Sequence, residues 1–232
     1  MKITWLGQAG LLFEGYGKTI MLDPYLSNSC FKLNPKSNRR VPVDERFFDV
    51  RPDYIIITHN HLDHLDPETL SHFLGEDTGI TVLAPYNAWS EVRKNGGNNN
   101  YVMFNAGTEW TDGEISFRAV KAEHSDLTAI GVMISAGGKT YYASGDTLYN
   151  SAVIRDVKSS GLEIDAAFLP VNGVGNNMNM TDASRFAREI GAKKVVPVHI
   201  GLFDSLSPAD FVCEGKVTPE FFKEIKLQGE NK

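Results

Sequence analysis

Residues 58–66 hold an unusual concentration of metal-binding side chains. His59, His61, Asp63 and His64 fall within this stretch, although the whole chain of 232 residues has only six histidines. Imidazole and carboxylate groups are standard ligands of divalent metal ions. Residues two apart on an extended segment point the same way, and a following turn directs Asp63 and His64 elsewhere. The spacing therefore predicts ligands for two adjacent ions rather than a solvated polar loop.

The neighbouring sequence places this stretch at the end of a buried strand. Residues 54–57 (Tyr-Ile-Ile-Ile) form an apolar run typical of a strand that is covered on both faces. Directly after the stretch, Asp66 and Pro67 predict a helix start, with Asp66 as the N-cap and Pro67 at the first helical position. The candidate ligands thus lie between a strand and a helix.

Apolar runs and turn residues predict the remaining elements. Glycines separate three short strands within residues 2–22, which indicates a β-meander. Further strands are predicted at 80–84, 102–104, 108–110, 115–120, 130–135, 140–143, 166–171 and 195–198, and helices at 86–94 and 182–190.

Three more candidate ligands follow predicted strands one at a time. They are His124, Asp146 and His199. Strand ends on one rim of a sheet converge in space, so these side chains are expected to meet the first group. Only His72, inside the helix that follows Pro67, is then left without a role in the site.

The order of these residues resembles the metallo-β-lactamase superfamily. Its His-x-His-x-Asp-His motif is matched by residues 59–64, and its later single ligands by His124, Asp146 and His199. The resemblance extends from residues 5–7 (Trp-Leu-Gly) to 197–201. Within the superfamily, the chain looks most like the branch related to bacterial L-ascorbate-6-phosphate lactonase, on the segments 58–64, 144–147, 170–173 and 177–179.

This resemblance implies an α/β fold, a four-layer αββα sandwich, which we expect to span residues 1–232 as one domain. It also implies two divalent metal ions. One is held by His59, His61 and His124, the other by Asp63, His64 and His199, with Asp146 bridging them. The lactonase branch favours manganese and the wider superfamily favours zinc, while a ligand set without cysteine also admits iron.

Such a site has a definite chemistry. Two ions contribute +4, Asp63 and Asp146 −2 and a bridging hydroxide −1, which leaves about +1 and favours anionic substrates. Metal coordination lowers the pKa of water from about 15.7 toward roughly 7. We therefore expect a hydrolase for a small anionic (phosphorylated) lactone or ester, with Asp63 as the catalytic residue that orients the nucleophile.

Two other functions of the same superfamily compete with this expectation. One is a phosphodiesterase. The other, ranked lower, is a di-iron oxidoreductase, a branch that typically has glutamate where this chain has His61 and that is partnered by a flavin module.

Four residues outside the ligand set are candidates for supporting roles. Asp23, before a proline, either makes a turn or accepts a hydrogen bond from a ligating histidine. Arg39 and Arg40 lie in the irregular segment 25–50, which is either a solvated basic loop or a contact for substrate phosphate or another subunit. Asn172 is a candidate substrate contact. The glycine-rich residues after it either cradle an anion or form a plain turn.

The composition and charge of the chain argue against two classes of partner. A net charge of −6 and a pI near 5.5 argue against nucleic-acid binding, which usually needs a basic face. The chain has no run of 18 or more apolar residues and no signal-peptide pattern, so we expect no membrane partner and a cytoplasmic location. The expected partner is a small-molecule substrate, and a homo-oligomer remains open.

Overall fold

The first of two sheets carries the candidate ligand segment. The computed structural model describes residues 1–75, 78–202 and 204–227. The first sheet has six strands. In spatial order they are β1 (Lys2–Gly7), β2 (Gly10–Gly15), β3 (Lys18–Leu22), β4 (Tyr54–Ile56), β5 (Thr81–Ala84) and β6 (Asn100–Met103). Strands β1 to β3 are antiparallel, as predicted for the meander, and β3 to β6 are parallel.

The second six-stranded sheet supplies the later candidate ligands. Its strands are β7 (Glu109–Asp112), β8 (Ile115–Lys121), β9 (Ile130–Ala136), β10 (Lys139–Ala143), β11 (Ala166–Pro170) and β12 (Val195–Val198). Strands β7 to β10 are antiparallel, and β10 to β12 are parallel.

Short helices connect the strands. They are α1 (Ser29–Leu33), α2 (Pro67–Phe73), α3 (Tyr86–Val92), α4 (Ser151–Ser159) and α5 (Met180–Ile190), with 3₁₀ turns at Glu45–Asp49, Arg93–Asn95 and Pro208–Asp210. Helix α2 begins as predicted, because the Asp66 side chain accepts a hydrogen bond from the Glu68 N–H. Its buried Leu70 and Phe73 contribute roughly 1.5–3 kcal/mol each to folding.

Two predictions about helices were incomplete. Helix α4 was not predicted, and the segment 25–50 contains α1 and a 3₁₀ turn where the sequence indicated only irregular structure. A helix of five residues makes little more than one turn, so it produces no repeating apolar pattern.

Side-chain alternation explains why each sheet is buried on both faces. On β3, Ile20 and Leu22 point into the core between the sheets, whereas Met21 points to the outer layer with α2 and α3. Strand β4 repeats the pattern, with Ile56 inside and Ile55 outside. Helices α4 and α5 cover the other sheet, and the predicted αββα sandwich is confirmed. No helix in the described ranges is long and apolar enough to cross a membrane.

Candidate metal centre

The seven predicted ligands come together where strands of both sheets end. His59 follows β4 in the first sheet, while His124, Asp146 and His199 follow β8, β10 and β12 in the second. The two rims are joined directly, because the Ile130 N–H donates to the Thr58 carbonyl at 3.0 Å.

A glycine permits this close approach. Gly145, just before Asp146, has a φ of +58°, and a Cβ there would lie 2.8 Å from both the Ile130 carbonyl oxygen and Thr58 Cβ. A larger residue would separate the two rims or displace Asp146. Gln8, Asp23 and His199 also have positive φ, at a backbone cost of about 1–2 kcal/mol each. Strain of this kind is common at functional sites.

One group of candidate ligand atoms comes from His59, His61, His124 and Asp146, and these atoms all lie within 4.8 Å of one another. His61 Nδ1 is 3.0 Å from His124 Nε2. Asp146 Oδ2 is 4.0 Å from His59 Nε2 and 3.9 Å from His124 Nε2. The four side chains thus converge on one point.

A second group comprises Asp63, His64 and His199. His199 Nε2 lies 3.2 Å from Asp63 Oδ2 and 3.3 Å from His64 Nε2. Asp146 also reaches this group, with Oδ1 at 3.2 Å from His64 Nε2 and Oδ2 at 3.1 Å from His199 Nε2. Asp146 therefore lies between the two groups.

These groups fit divalent metal ions. Donor atoms bound to one ion at about 2.0–2.2 Å lie roughly 3.0–3.5 Å apart. Two pairs of the second group lie in this range, at 3.2 and 3.3 Å, and the third, His64 Nε2 to Asp63 Oδ2, is slightly longer at 3.7 Å. Within the described chain, the buried His59 Nε2 and Asp146 Oδ1 have no hydrogen-bond partner. Buried polar atoms are rarely left unpaired, so both are free to bind an ion.

Most of the histidines present Nε2 to the centre because another group engages Nδ1. His64 Nδ1 is 2.8 Å from Asp23 Oδ2, and His59 Nδ1 is 3.1 Å from the Thr58 hydroxyl. His124 Nδ1 is 3.3 Å from the Asn176 carbonyl oxygen. Acceptors at Nδ1 fix the tautomer that leaves the Nε2 lone pair available to a metal.

Asp23 supports one histidine of each group. Its carboxylate accepts hydrogen bonds from the Thr58 N–H at 2.8 Å and the Thr58 hydroxyl at 2.6 Å, as well as facing His64 Nδ1. Because the Thr58 hydroxyl donates to Asp23, it is left to accept from His59 Nδ1–H. Asp23 thus contacts His64, one of the predicted ligands, and its role behind a bound ion stays a prediction.

Burial and neighbouring charges shift several pKa values of this site in opposite directions. Burial lowers the pKa of His59, and its histidine neighbours lower it further. Burial alone would also lower the pKa of His64 and His199, but nearby carboxylates, Asp146 foremost, raise the pKa of His64 well above its usual range and that of His199 to about 9. Burial would raise the pKa of Asp146, yet His199 and His64 hold it well below its usual range.

Asparagines after β11 contact the cluster from one side. Asn172 Nδ2 is 2.9 Å from His199 Nδ1, and rotating this amide would present its partnerless Oδ1 to an Nδ1–H instead. Asn177 donates to Asp146 Oδ2 at 2.8 Å and accepts from the Thr147 N–H. The sequence pointed to Asn172 as a substrate contact, whereas the structure places it against a candidate ligand.

Arg39 and Arg40 lie outside the cluster. Arg39 donates to the Tyr25 carbonyl at 2.6 Å and stacks on the Tyr25 ring. Arg40 pairs with Asp204 at 3.2 Å and donates to the Leu206 carbonyl. Arg39 thus makes contacts within the segment 25–50, and Arg40 ties that segment to residues 204–206. A role of either arginine in binding substrate stays a prediction.

Three supporting residues escaped the sequence analysis. Gln8 donates to Asp63 at 3.0 Å, Asn177 holds Asp146, and Asp126 accepts from the N–H of Asn60, between two candidate ligands. Gln8 also follows a strand, the same signal that identified the later candidate ligands, but a glutamine at such a position is not a usual metal ligand.

The cluster opens onto a cleft of about 370 Å³. Its wall includes four candidate ligands, together with Ser125 and residues 174–177. The four are His61, Asp63, Asp146 and His199. Among the described residues that line it, none is lysine or arginine. A small molecule can therefore reach both groups.

The fold is an αββα sandwich, and it brings five histidines and two aspartates together beside an open cleft. These two features define a protein of the αββα class with a candidate metal site. The sequence model described as "Beta-lactamase superfamily domain" matches residues 18–200. The chain therefore belongs to the β-lactamase superfamily.

Relatives and solved structures agree with this assignment. A UPF0173 metal-dependent hydrolase from Exiguobacterium sp. is 30% identical over 221 residues, covering 90% of this chain and 88% of the relative. Another, from Bacillus cereus, is 30% identical over 239 residues, covering 94% and 96%. The structure of Igni18, a metallo hydrolase from Ignicoccus hospitalis, superposes with a TM-score of 0.74 at 20% identity over 96% of each chain, which shows the same fold.

Proposed function

We propose that the chain is a metal-dependent hydrolase that binds two divalent ions, zinc or manganese, and acts on a small anionic lactone or ester. The observation that carries this proposal is the position of Asp146 between two groups of converging ligand atoms at the base of an open cleft. The relatives' description as metal-dependent hydrolases supports it. Imidazole and carboxylate donors suit both metals.

The chain's own residues have distinct parts in this reaction. Bound ions supply Lewis acidity, which makes water nucleophilic near neutral pH and polarises the attacked carbonyl or phosphoryl oxygen. Asp63 lines the cleft, and its carboxylate can accept a hydrogen bond from the attacking water and so orient it. Asn177 and Asp23 hold their partners rigid, which keeps the donor atoms in place before substrate arrives.

The proposed preference for anions rests on the ions rather than on the protein surface. Two divalent ions contribute +4 and the carboxylates of Asp63 and Asp146 −2, so the centre carries a net positive charge. The described cleft wall adds no cationic side chain. The negative charge of a substrate should therefore lie close to the bond that is cleaved.

An activity panel tests the proposal. Chelator-treated protein, reloaded with zinc or manganese, should hydrolyse phosphorylated lactones or simple esters, and the metal-free protein should not. A bis-phosphodiester tests the competing phosphodiesterase function in the same assay. Undiminished hydrolysis by protein proven free of metal would contradict the proposal.

Metal affinity should rise with pH. The pKa of His199 is raised to about 9 and that of His64 is also raised, so both rings hold protons at neutral pH until an ion displaces them. Below the raised pKa, each displaced proton makes affinity rise about tenfold per pH unit. Competition with a chelator of known pH dependence, from pH 6 to pH 8, measures the slope. A flat profile would show that these histidines are not displaced by metal.

A further inference from the structure

Gln8 has an unusually constrained backbone beside the metal centre. It follows β1 with a φ of +50°, in the left-handed region that few non-glycine residues occupy. Its carbonyl accepts hydrogen bonds from the Trp5 indole N–H at 2.9 Å and from the His199 N–H at 2.8 Å. The residue also forms a β-bridge with Ile200. These contacts fix the backbone position from which the Gln8 side chain extends.

The side chain points at the second ligand group and is 3% exposed. Gln8 Nε2 lies 3.0 Å from Asp63 Oδ2, and it lies 3.2 Å from Nδ1 and 3.3 Å from Nε2 of His199. Near-equal distances to both ring nitrogens place the amide beside the ring, not along the lone pair of either one. Asp63 is therefore the acceptor that the amide N–H meets, at the shortest of the three distances.

The other end of the amide is left unpaired. Gln8 Oε1 is buried and has no hydrogen-bond partner within the described chain. A buried carbonyl without a partner destabilises a fold, so an apolar side chain of the same length would fill this space better. Packing therefore does not explain the polar residue, and the hydrogen bond that its amide makes within the site is the one from its N–H to Asp63.

We propose that Gln8 is a positioning residue for the ion held by Asp63, His64 and His199. Its amide N–H fixes the Asp63 carboxylate so that Oδ2 faces the two histidines. Among the described residues, Gln8 is the one non-histidine side chain that donates to Asp63. This inference rests on the proposed function, because it assumes that the second group binds an ion.

Two nearly isosteric substitutions test the role of the amide. Gln8→Met removes both polar atoms, and Gln8→Glu keeps an oxygen but removes the N–H. We expect both variants to bind one of two Co²⁺ ions about 10–100-fold more weakly, with the other ion nearly unaffected. Competition with a chromophoric chelator gives both affinities, and the Co²⁺ absorption spectrum reports which environment changes.

Metal-free stability separates positioning from packing. Thermal unfolding of metal-free Gln8→Met should occur at the wild-type temperature or above it, because the unpaired carbonyl is gone. Ser125→Ala is the matched control, since the Ser125 hydroxyl contacts His61 of the first group, 3.3 Å away. It should leave the affinity of the second group unchanged.

Three results would overturn the inference. The first is wild-type affinity for both ions in folded Gln8→Met. The second is wild-type affinity in Gln8→Glu alongside a loss in Gln8→Met, which would make Gln8 a direct ligand through its oxygen. In both of these cases the proposed function survives. The third is a wild-type protein that binds no metal, which would reject the inference and the proposed function together.

Discussion

Replacing Asp146 with alanine is expected to abolish tight binding of both ions and to lower turnover by about 10⁴-fold or more, the scale at which loss of one member disables a catalytic unit. Asp146 is the carboxylate that approaches histidines of both groups. It lies 3.2 and 3.1 Å from His64 and His199 of the second group, and 4.0 and 3.9 Å from His59 and His124 of the first. Without it, two divalent ions held in neighbouring groups would repel each other with one carboxylate charge fewer between them. Elemental analysis of the purified protein and its turnover on the best substrate of the panel measure both effects.

A carboxylate elsewhere provides the control for this variant. Asp156 accepts a hydrogen bond from the Lys121 N–H on the protein surface, and Asp156→Ala should keep both ions and full turnover. Circular dichroism of metal-free Asp146→Ala should show a folded protein. A folded Asp146→Ala protein with two ions and wild-type turnover would remove Asp146 from the centre.

The sequence predicted the parts of the site that depend on local order. The spacing of the candidate ligands in residues 59–64 is visible in one short segment. Asp66 predicted the start of helix α2, because capping involves only neighbouring residues. His124, Asp146 and His199 were predicted to lie beside this segment because chain direction places the ends of these strands at the same edge, and the structure brings them together there. Each of these inferences uses a rule about the chain near the residue itself.

Such rules do not predict which side chains from distant parts of the sequence contact each other. Gln8 meets Asp63 across 55 residues of sequence and His199 across 191. Nothing local to Gln8 distinguishes a side chain that supports a carboxylate from one that caps a turn. Arg39 illustrates the converse: its charge suggested an anion contact, but the fold places its guanidinium against the Tyr25 ring and carbonyl.

Asp23 shows how a supporting residue can affect both ions at once. Its carboxylate receives three donors, two from Thr58 and one from His64, and Thr58 in turn faces His59. His59 belongs to the first group and His64 to the second. One outer carboxylate therefore orients His64 directly and His59 through the Thr58 hydroxyl.

Asp23→Asn is accordingly expected to weaken binding of both ions by about 10–100-fold each, while Gln8→Met weakens one. The asparagine would present an N–H₂ to one of the three donors that now meet a carboxylate, which leaves a buried polar group unpaired and costs roughly 1–3 kcal/mol of stability. Calorimetric metal titration and thermal unfolding of metal-free protein give the two quantities separately.

Asp53→Asn is the matched control. Asp53 is an exposed carboxylate that accepts a hydrogen bond from the Thr19 N–H at 2.7 Å and contacts none of the candidate ligands in the described hydrogen bonds. It should bind both ions as the wild type does. If Asp23→Asn weakened only the ion of the second group, the link from Asp23 through the Thr58 hydroxyl to His59 would be wrong, and Asp23 would serve His64 alone. Equal weakening at both positions would show that the hydroxyl passes the orientation of Asp23 on to the first group.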